Sequence, residues 1–525
     1  MRAPGDASPQ PTWLDSRTTL LLLLLAAALP LLWPTLPPLV DLPAHMGRWR
    51  VQTAIDQVPS LAAAFDFQWR LIGNLGVDLL VHVLTPLFGV ELSTKLVVLS
   101  IPVIMAGGMI MLAREVHGRV PPTVLFAISL AYTYPFFFGF VNFWLAQALV
   151  FPLLALWLRL GKQGRYGFRA MLFLPLGFLL WVAHTVGWGL LGLCAFGSEM
   201  VLQRRRGRGW ISFLWHAGLN CLPLAVPLVP MLLVNMGSRA PTGKWFQWDL
   251  KLLFTLSVFR DRWKDFEVGA AALLYTLVGF GFLARDMFRV QWTLGVPALL
   301  CATAFILMPR IVTGSNYADM RLVPFALALF LLSLDLPEAR AGVRRALAVA
   351  GALFLAVRIG AVTWSFYDYS ERHVRELRAL EHVARGSSVL SLVSRGCPRA
   401  WSTDRLDHLP SMAIVRRDAF TNDQWTADNA QLIRIRKQGL GRYAGDPSEI
   451  LYPRHCSREG SVLEDAVRDF NRDAYDYVWT LDVPPGRVRQ PDLKLIWSNG
   501  ASALYRVDKS ATIDTPAGSG TRPTR

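Results

Sequence analysis

Long uncharged runs alternate with short basic stretches over the first two thirds of the chain. The first run, residues 18–40, carries no charge and is interrupted late by Pro30, Pro34, Pro37 and Pro38. Ten more runs follow at 94–113, 122–138, 142–160, 170–185, 187–203, 211–235, 268–285, 291–309, 321–337 and 346–366. Each approaches the length of about 20 apolar residues that a helix needs to cross hydrocarbon. The pattern predicts a polytopic α-helical membrane protein of about eleven spans. A cleaved signal peptide ending near Ala26-Ala27-Ala28 is the alternative for the first run, and either reading leaves Asp41 on the outer side. An apolar piece at 71–90 fits a re-entrant or surface helix within a long first loop.

The pattern changes near Ser370, where polar and apolar positions alternate as they do in a soluble domain. Helical periodicity is expected at 371–384 and 461–471, and strands at 388–393, 412–416, 475–481 and 493–497. The last strand is expected to pair with 501–507 across Ser498-Asn499-Gly500, a hairpin turn signal. The chain thus divides into an N-terminal segment 1–17, a first span 18–40, a first outer loop 41–93, a multi-span region 94–369, a small C-terminal α/β domain 370–510, and a Gly/Pro/Thr/Ser-rich tail 511–525 that reads as disordered.

Charge sets the expected orientation. Arg114/Arg119, Arg159/Lys162/Arg165/Arg169, Arg204/Arg205/Arg206/Arg208, Arg285/Arg289 and Arg340/Arg344/Arg345 fall at every second connection. One topology places all of them in the cytoplasm, with the N-terminus inside and the C-terminal domain outside. The chain is 53% hydrophobic and only 18% charged, against about 25% charged for soluble domains. Its net charge of +16 is therefore a signature of membrane topology and not of nucleic-acid binding. Cys194, Cys221 and Cys301 lie in apolar runs, whereas Cys397 and Cys456 lie in the outer domain and are candidates for one disulfide.

With sidedness assigned, ionisable groups near span ends concentrate on the outer half, where such groups usually have a function. In Asp41-Leu42-Pro43-Ala44-His45-Met46-Gly47-Arg48, the spacing puts Asp41, His45 and Arg48 on one helix face. Asp41 is either a general base or cation ligand, or the N-cap of the helix that starts at Leu42. Asn74, Asp78 and His82 recur every fourth residue, either to hold neighbouring spans together or to face substrate. His184 sits at the outer turn of a tight hairpin, as a structural residue or a cavity-lining one. Asp319 and Arg321 open a late span from outside: either they pair locally, or Arg321 binds a lipid phosphate with its fork of donors. Arg358, deeper in its span, either snorkels outward or reaches that same phosphate. Lys244, Trp245, Trp248, Trp263 and Lys264, in the loop 236–267, fit an interfacial aromatic belt.

This layout resembles the GT-C superfamily of membrane glycosyltransferases, such as protein mannosyltransferases and lipid A aminoarabinose transferases. The likeness lies in a first span, a long outer loop that opens on an acid, many further spans and an outer C-terminal domain. It implies an inner-membrane enzyme of bacterial type that takes a sugar from a polyprenyl-phosphate-linked donor to a hydroxyl of a lipid, glycan or protein acceptor. It implies Asp41 as base or metal ligand and, if a cofactor is used, a divalent cation such as Mg or Mn. Arg321 matches the late-span basic residue for the lipid phosphate. Many members carry paired acids in the first loop, whereas here Leu42 and Pro43 follow Asp41, leaving Asp66 or Asp78 as second acids. The segments Asp41–His45 and Tyr134-Pro135-Phe136-Phe137-Phe138-Gly139-Phe140-Val141-Asn142-Phe143 also look like those of bacterial multi-span proteins without assigned substrates. A non-enzymatic transporter of a lipid-linked intermediate, or an inactive scaffold of the same fold, are the alternatives.

Overall fold

The computed structural model describes residues 12–233, 242–312, 315–397, 401–425, 431–445, 447–456 and 462–510. The apolar runs become helices. Among the described residues six are long and apolar enough to cross a membrane, and shorter apolar helices occupy Arg17–Leu31, Thr123–Phe138, Ile211–Ala225, Trp292–Leu307 and Leu322–Ser333. The architecture is a helical membrane bundle with a small α/β domain at its C-terminal end, as the hydropathy pattern predicts. The expected tail 511–525 and the start of the chain, residues 1–11, lie outside the described residues.

The bundle centres on two helices, Gly76–His117 and Val141–Lys162. They approach closely where Gly108 meets Phe151 and Pro152; a Cβ on Gly108 would lie 2.5 Å from Pro152 Cδ. Small residues at such crossings let helix backbones come together in hydrocarbon, where no hydrophobic force drives them. The first of the pair is not straight. It breaks at Gly89, φ +70°, so the apolar piece before it and the span after it are two segments of one helix. Asn74 precedes this helix instead of sharing a face of it with Asp78 and His82, which corrects the expected fourfold stripe.

One end of the bundle collects the basic connections. Asp15 Oδ1 accepts Arg114 Nε at 3.3 Å and the backbone N of Val120 at 3.0 Å. Lys162 pairs with Glu115 at 2.9 Å, and Arg119 with Asp335 at 2.9 Å. The opposite end carries the first loop and the C-terminal domain. The Ala341–Leu377 helix leaves the bundle without interruption and supplies the helix expected at the start of that domain.

The domain's sheet contains β1 (Ser388–Ser394), β2 (Phe420–Thr421), β3 (Ile450–Leu451), β4 (Tyr477–Leu481), β5 (Leu493–Ser498) and β6 (Ala503–Val507). Its order is β2-β1-β4-β6-β5, with β3 pairing the far end of β1. Strands β2, β3 and β4 each pair in parallel with β1; β6 runs antiparallel to β4 and β5. The hairpin expected after Trp497 is present. The strand expected at 412–416 is not: Met412–Arg417 is a short helix whose Met412, Ala413 and Ile414 are buried together, a continuous apolar run that strand and helix share. Cys397 is disulfide-bonded, while Cys194, Cys221 and Cys301 are free. The side chain of Cys456, the other half of the expected disulfide, lies outside those described.

The first loop and the C-terminal domain form one layer. Phe65–Phe67 pairs antiparallel with Ile433–Ile435. Arg416 makes a two-pronged pair with Glu91, at 2.9 and 2.8 Å. Gln424 Nε2 donates to Ala44 O at 3.1 Å and to Ser411 Oγ at 2.6 Å, inside the seam with the Leu42–Ala54 helix. Beside it Asp423 is fully buried; Thr421 Oγ1 donates to its Oδ1, but Oδ2 has no hydrogen-bond partner.

Burial pushes the Asp423 carboxyl up to about 7. A raised carboxyl favours the folded state below its unfolded value, and that contribution is lost as pH rises toward the folded value. Asp423→Asn removes the term. The difference in thermal midpoint between variant and wild type is expected to grow from about pH 4 to about pH 7 in the variant's favour, then stay level. Parallel thermal unfolding curves of the two proteins across that range check this.

Candidate active site

Asp41 is held by its backbone. Val40 N donates to Phe137 O at 3.1 Å and Asp41 N to Phe138 O at 2.9 Å. The carbonyls belong to the short helix Tyr134–Phe138, which ends on Gly139 at φ +102°. A Cβ on Gly139 would lie 2.7 Å from Asp41 N and 2.9 Å from Asp41 Cβ. Glycine is required there twice over, by the left-handed backbone and by the close approach. Asp41 occupies the N-cap position of Leu42–Ala54, with Pro43 in the first turn, yet its side chain makes no capping bond. The carboxylate instead lies near His408 of the C-terminal domain and within electrostatic reach of Arg321.

Around it the fold assembles groups distant in sequence. His408 Nε2, from the C-terminal domain, lies 3.9 Å from Asp41 Oδ1. Arg321 is buried within electrostatic reach of Asp41. Its guanidinium stacks on Phe140, 3.8 Å from the ring centroid, and lies 5.6 Å from that of Phe143. Arg321 Nη2 donates to Asn316 O at 3.1 Å, whereas its buried Nε has no partner. Tyr134 lies within electrostatic reach of Asp41, Arg260, Arg395 and Tyr317. Tyr317 adopts φ +59°, uncommon for an aromatic residue, and lies under the guanidinium of Arg310 at 4.8 Å. Such strain concentrates at functional sites.

His45 packs edge-on to Trp425, with centroids 5.3 Å apart, and stacks on the buried Trp49 at 5.8 Å. Burial, Arg48 and His408 together hold its imidazole well below the usual histidine range, so it is neutral at physiological pH. His184 accepts Val186 N on Nδ1 at 3.1 Å, capping the helix that follows, and packs edge-on to Phe143 at 5.4 Å. It is thus a cap first, set within reach of Arg321.

Four expected site residues are engaged elsewhere. Arg48 Nη2 donates to Asp78 Oδ1 at 2.7 Å, and the same guanidinium meets Gln431. Asn142 Nδ2 donates to Asp78 Oδ2 at 2.8 Å, while Asn142 Oδ1 accepts Val77 N at 2.6 Å. Arg48 and Asp78 therefore join the first loop to the bundle, because a buried charge must be paired. Asp319 pairs with Lys251 at 3.0 Å, not with Arg321. Arg358 stacks on Phe259 at 4.1 Å and lies within reach of Glu267 and Asp261, a cluster that also holds Arg405.

The donor set does not suit a divalent cation. Among the described residues no three His, Cys, Asp or Glu side chains converge. Hard cations want several oxygen ligands, and the described residues around Asp41 set its carboxylate beside two imidazoles and several arginines, with Glu449 on the far side of His408. Sequence reasoning missed His408, Trp425, Arg260 and Arg395. No local motif marks them; only the tertiary structure brings them to Asp41.

No family model matches the chain, and no curated protein matches it by sequence. Among solved structures it is similar to ArnT from Cupriavidus metallidurans in the apo state, at 14% identity and a TM-score of 0.49 over 95% of this chain and 99% of that one. ArnT from the same organism bound to undecaprenyl phosphate gives 13% and 0.47, over 93% and 98%. The arabinofuranosyltransferase AftD from Mycobacteria gives 15% and 0.44, over 94% of this chain but only 40% of AftD. Overlaps below a TM-score of 0.5 assign no residue a role, so the roles that follow come from the geometry of this chain.

Two substitutions test the frame. Gly139→Ala should lower stability by about 1–3 kcal/mol from backbone strain alone, before the clash with Asp41 is counted. Asp78→Ala should cost about 3–5 kcal/mol, the penalty for stranding the buried Arg48. Thermal or denaturant unfolding of the purified protein measures both.

Proposed function

We propose that this integral membrane protein is a glycosyltransferase that moves a sugar from a polyprenyl-phosphate-linked donor to an acceptor hydroxyl at the outer membrane face. The observation that carries this is one carboxylate, Asp41, within electrostatic reach of a buried arginine, Arg321, among aromatic rings at the end of the bundle away from the basic connections. That arrangement offers both halves of a displacement. Asp41 takes the proton of the acceptor hydroxyl as general base. The freed oxygen attacks the anomeric carbon, and the carbon–oxygen bond to the lipid phosphate breaks with inversion. The bonding electrons leave with the phosphate, whose growing charge Arg321 stabilises. Its stacking on Phe140 leaves the edge of the guanidinium as the contact for phosphate oxygens.

The arginine alternation supports an inner membrane of bacterial type, with the N-terminus in the cytoplasm and the C-terminal domain outside it. The acceptor is a hydroxyl of a lipid, glycan or protein. No metal-dependent step is part of this reading, because the described donor set lacks the oxygens for one.

Proteoliposomes holding the purified protein, undecaprenyl-phosphate-linked sugars and a membrane extract as acceptor source provide the assay, read as released undecaprenyl phosphate. Asp41→Asn should lower transfer by about 10²–10⁴-fold while leaving thermal stability nearly unchanged. Arg321→Ala should weaken binding of undecaprenyl phosphate by roughly 10–150-fold, the worth of a hydrogen bond to a charged group. Transfer at the wild-type rate by Asp41→Asn would overturn the assignment. Movement of the lipid-linked sugar across the bilayer without consumption would favour a transporter.

A further inference from the structure

Asp41 in the role of base poses a problem that the bundle does not solve. A carboxylate that has taken a proton from the acceptor must give it up before the next turnover, and the cations near Asp41 supplied by the spans and their loops, Arg321 and Arg260, cannot accept one. The C-terminal domain brings a group that can. His408 Nε2 lies 3.9 Å from Asp41 Oδ1, and on the other side of the ring His408 Nδ1 lies 3.8 Å from Glu449 Oε1. Glu449 is fully buried at the start of β3, with its backbone O accepting Val393 N at 2.7 Å. The ring plane is set by Trp425, whose centroid is 5.0 Å away. Carboxylate, imidazole and carboxylate thus stand in line across the junction of first loop and C-terminal domain.

Resting on Asp41 as base, we infer that His408 is the positioning and proton-holding partner of Asp41, with Glu449 behind it. To take a proton on Nε2 the ring must be neutral, with its own proton on Nδ1 toward Glu449. After Asp41 removes the acceptor proton, that proton passes from the Asp41 carboxyl to His408 Nε2. An imidazolium results, flanked by two carboxylates that stabilise its charge. The proton leaves to solvent after product release, which returns His408 to neutral and Asp41 to carboxylate. No oxidant or second substrate is involved. Contacts of 3.8–3.9 Å exceed hydrogen-bond length in the free chain, and contacts of this kind tighten when substrate fills a cleft.

Three described charged or titratable groups near the ring are occupied otherwise. Asp407, the preceding residue, is engaged by Arg395 at 2.6 Å. His45, across the cleft, is held neutral. Arg405, three residues before His408, is bound to Asp261 and to Pro38 O. Among the described residues Asp41 and Glu449 are carboxylates that bear on the imidazole, at Nε2 and Nδ1 respectively.

The test separates this inference from the function it rests on. Protein labelled with ¹⁵N on its 9 histidines is placed in lipid bilayers, and the His408 ring signal is assigned by its loss in His408→Gln. Its titration is then followed in wild type, Asp41→Asn and Glu449→Gln. Each variant should lower the midpoint by about one pH unit, the effect of removing a carboxylate within 4–6 Å. An unmoved midpoint in both folded variants overturns the inference whether or not a donor sugar is known. In the transfer assay, His408→Gln should slow turnover at least tenfold and abolish the acidic limb of the pH profile, with KM for the lipid donor unchanged. A variant that is slower but keeps the wild-type pH profile would make His408 merely structural and overturn its proton-holding role. Wild type inactive with every lipid-linked sugar, but with the midpoints shifted, would overturn the glycosyltransfer reading and leave the charge chain standing.

Discussion

Two backbone hydrogen bonds, from Val40 and Asp41 to the carbonyls of Phe137 and Phe138, hold the first outer loop against the bundle. They form because Gly139 has no side chain where Asp41 must pass. Everything else in the cleft is arranged relative to that contact. It places the acid at the helix N-cap while leaving its side chain out of the cap. It also brings Phe140, which opens the Val141–Lys162 helix, to the position where Arg321 stacks on it. The requirement is steric before it is chemical, since the acid can be aimed only once its backbone is fixed.

The polar groups on the outer half separate into two kinds. Some are consumed in buried pairs: Arg48 with Asp78, Lys251 with Asp319, and Arg405 with Asp261. These join loop to bundle, late loop to bundle, and C-terminal domain to bundle. Each pair leaves little charge unmatched, which suits structural joints where neither water nor substrate enters. The other kind faces the cleft: Asp41, His408, Arg321 and the aromatic rings between them. The first kind makes the second possible, because a site built on a long loop and a separate domain stays in register only if both are anchored.

The anchoring also explains why the C-terminal domain belongs to the site. Its sheet is self-contained, but outside that sheet the Phe65–Phe67 strand pairs with Ile433–Ile435, Glu91 holds Arg416, and Gln424 reaches the backbone of Ala44. Loop and domain therefore move as one layer. His408, a group on the domain, is thereby brought to 3.9 Å from Asp41.

The amino-acid sequence by itself determined the class of fold, the position of the helices, the change to a soluble domain near Ser370 and the β5–β6 hairpin, because hydropathy runs and turn residues are local signals. It singled out Asp41 and Arg321, since ionisable groups at span ends are few. It did not separate them from Arg48, Asp78 and Asp319, which carry the same local signature; whether a buried charge faces a cleft or a partner depends on what packs opposite. It read Met412–Arg417 as a strand because a short apolar run fits either period, and burial in the seam decided for a helix. His408, Glu449 and Trp425 were invisible, for their relation to Asp41 is a distance across domains and leaves no spacing in the chain. Only the tertiary structure decided which charges are paired as joints and which lie beside Asp41.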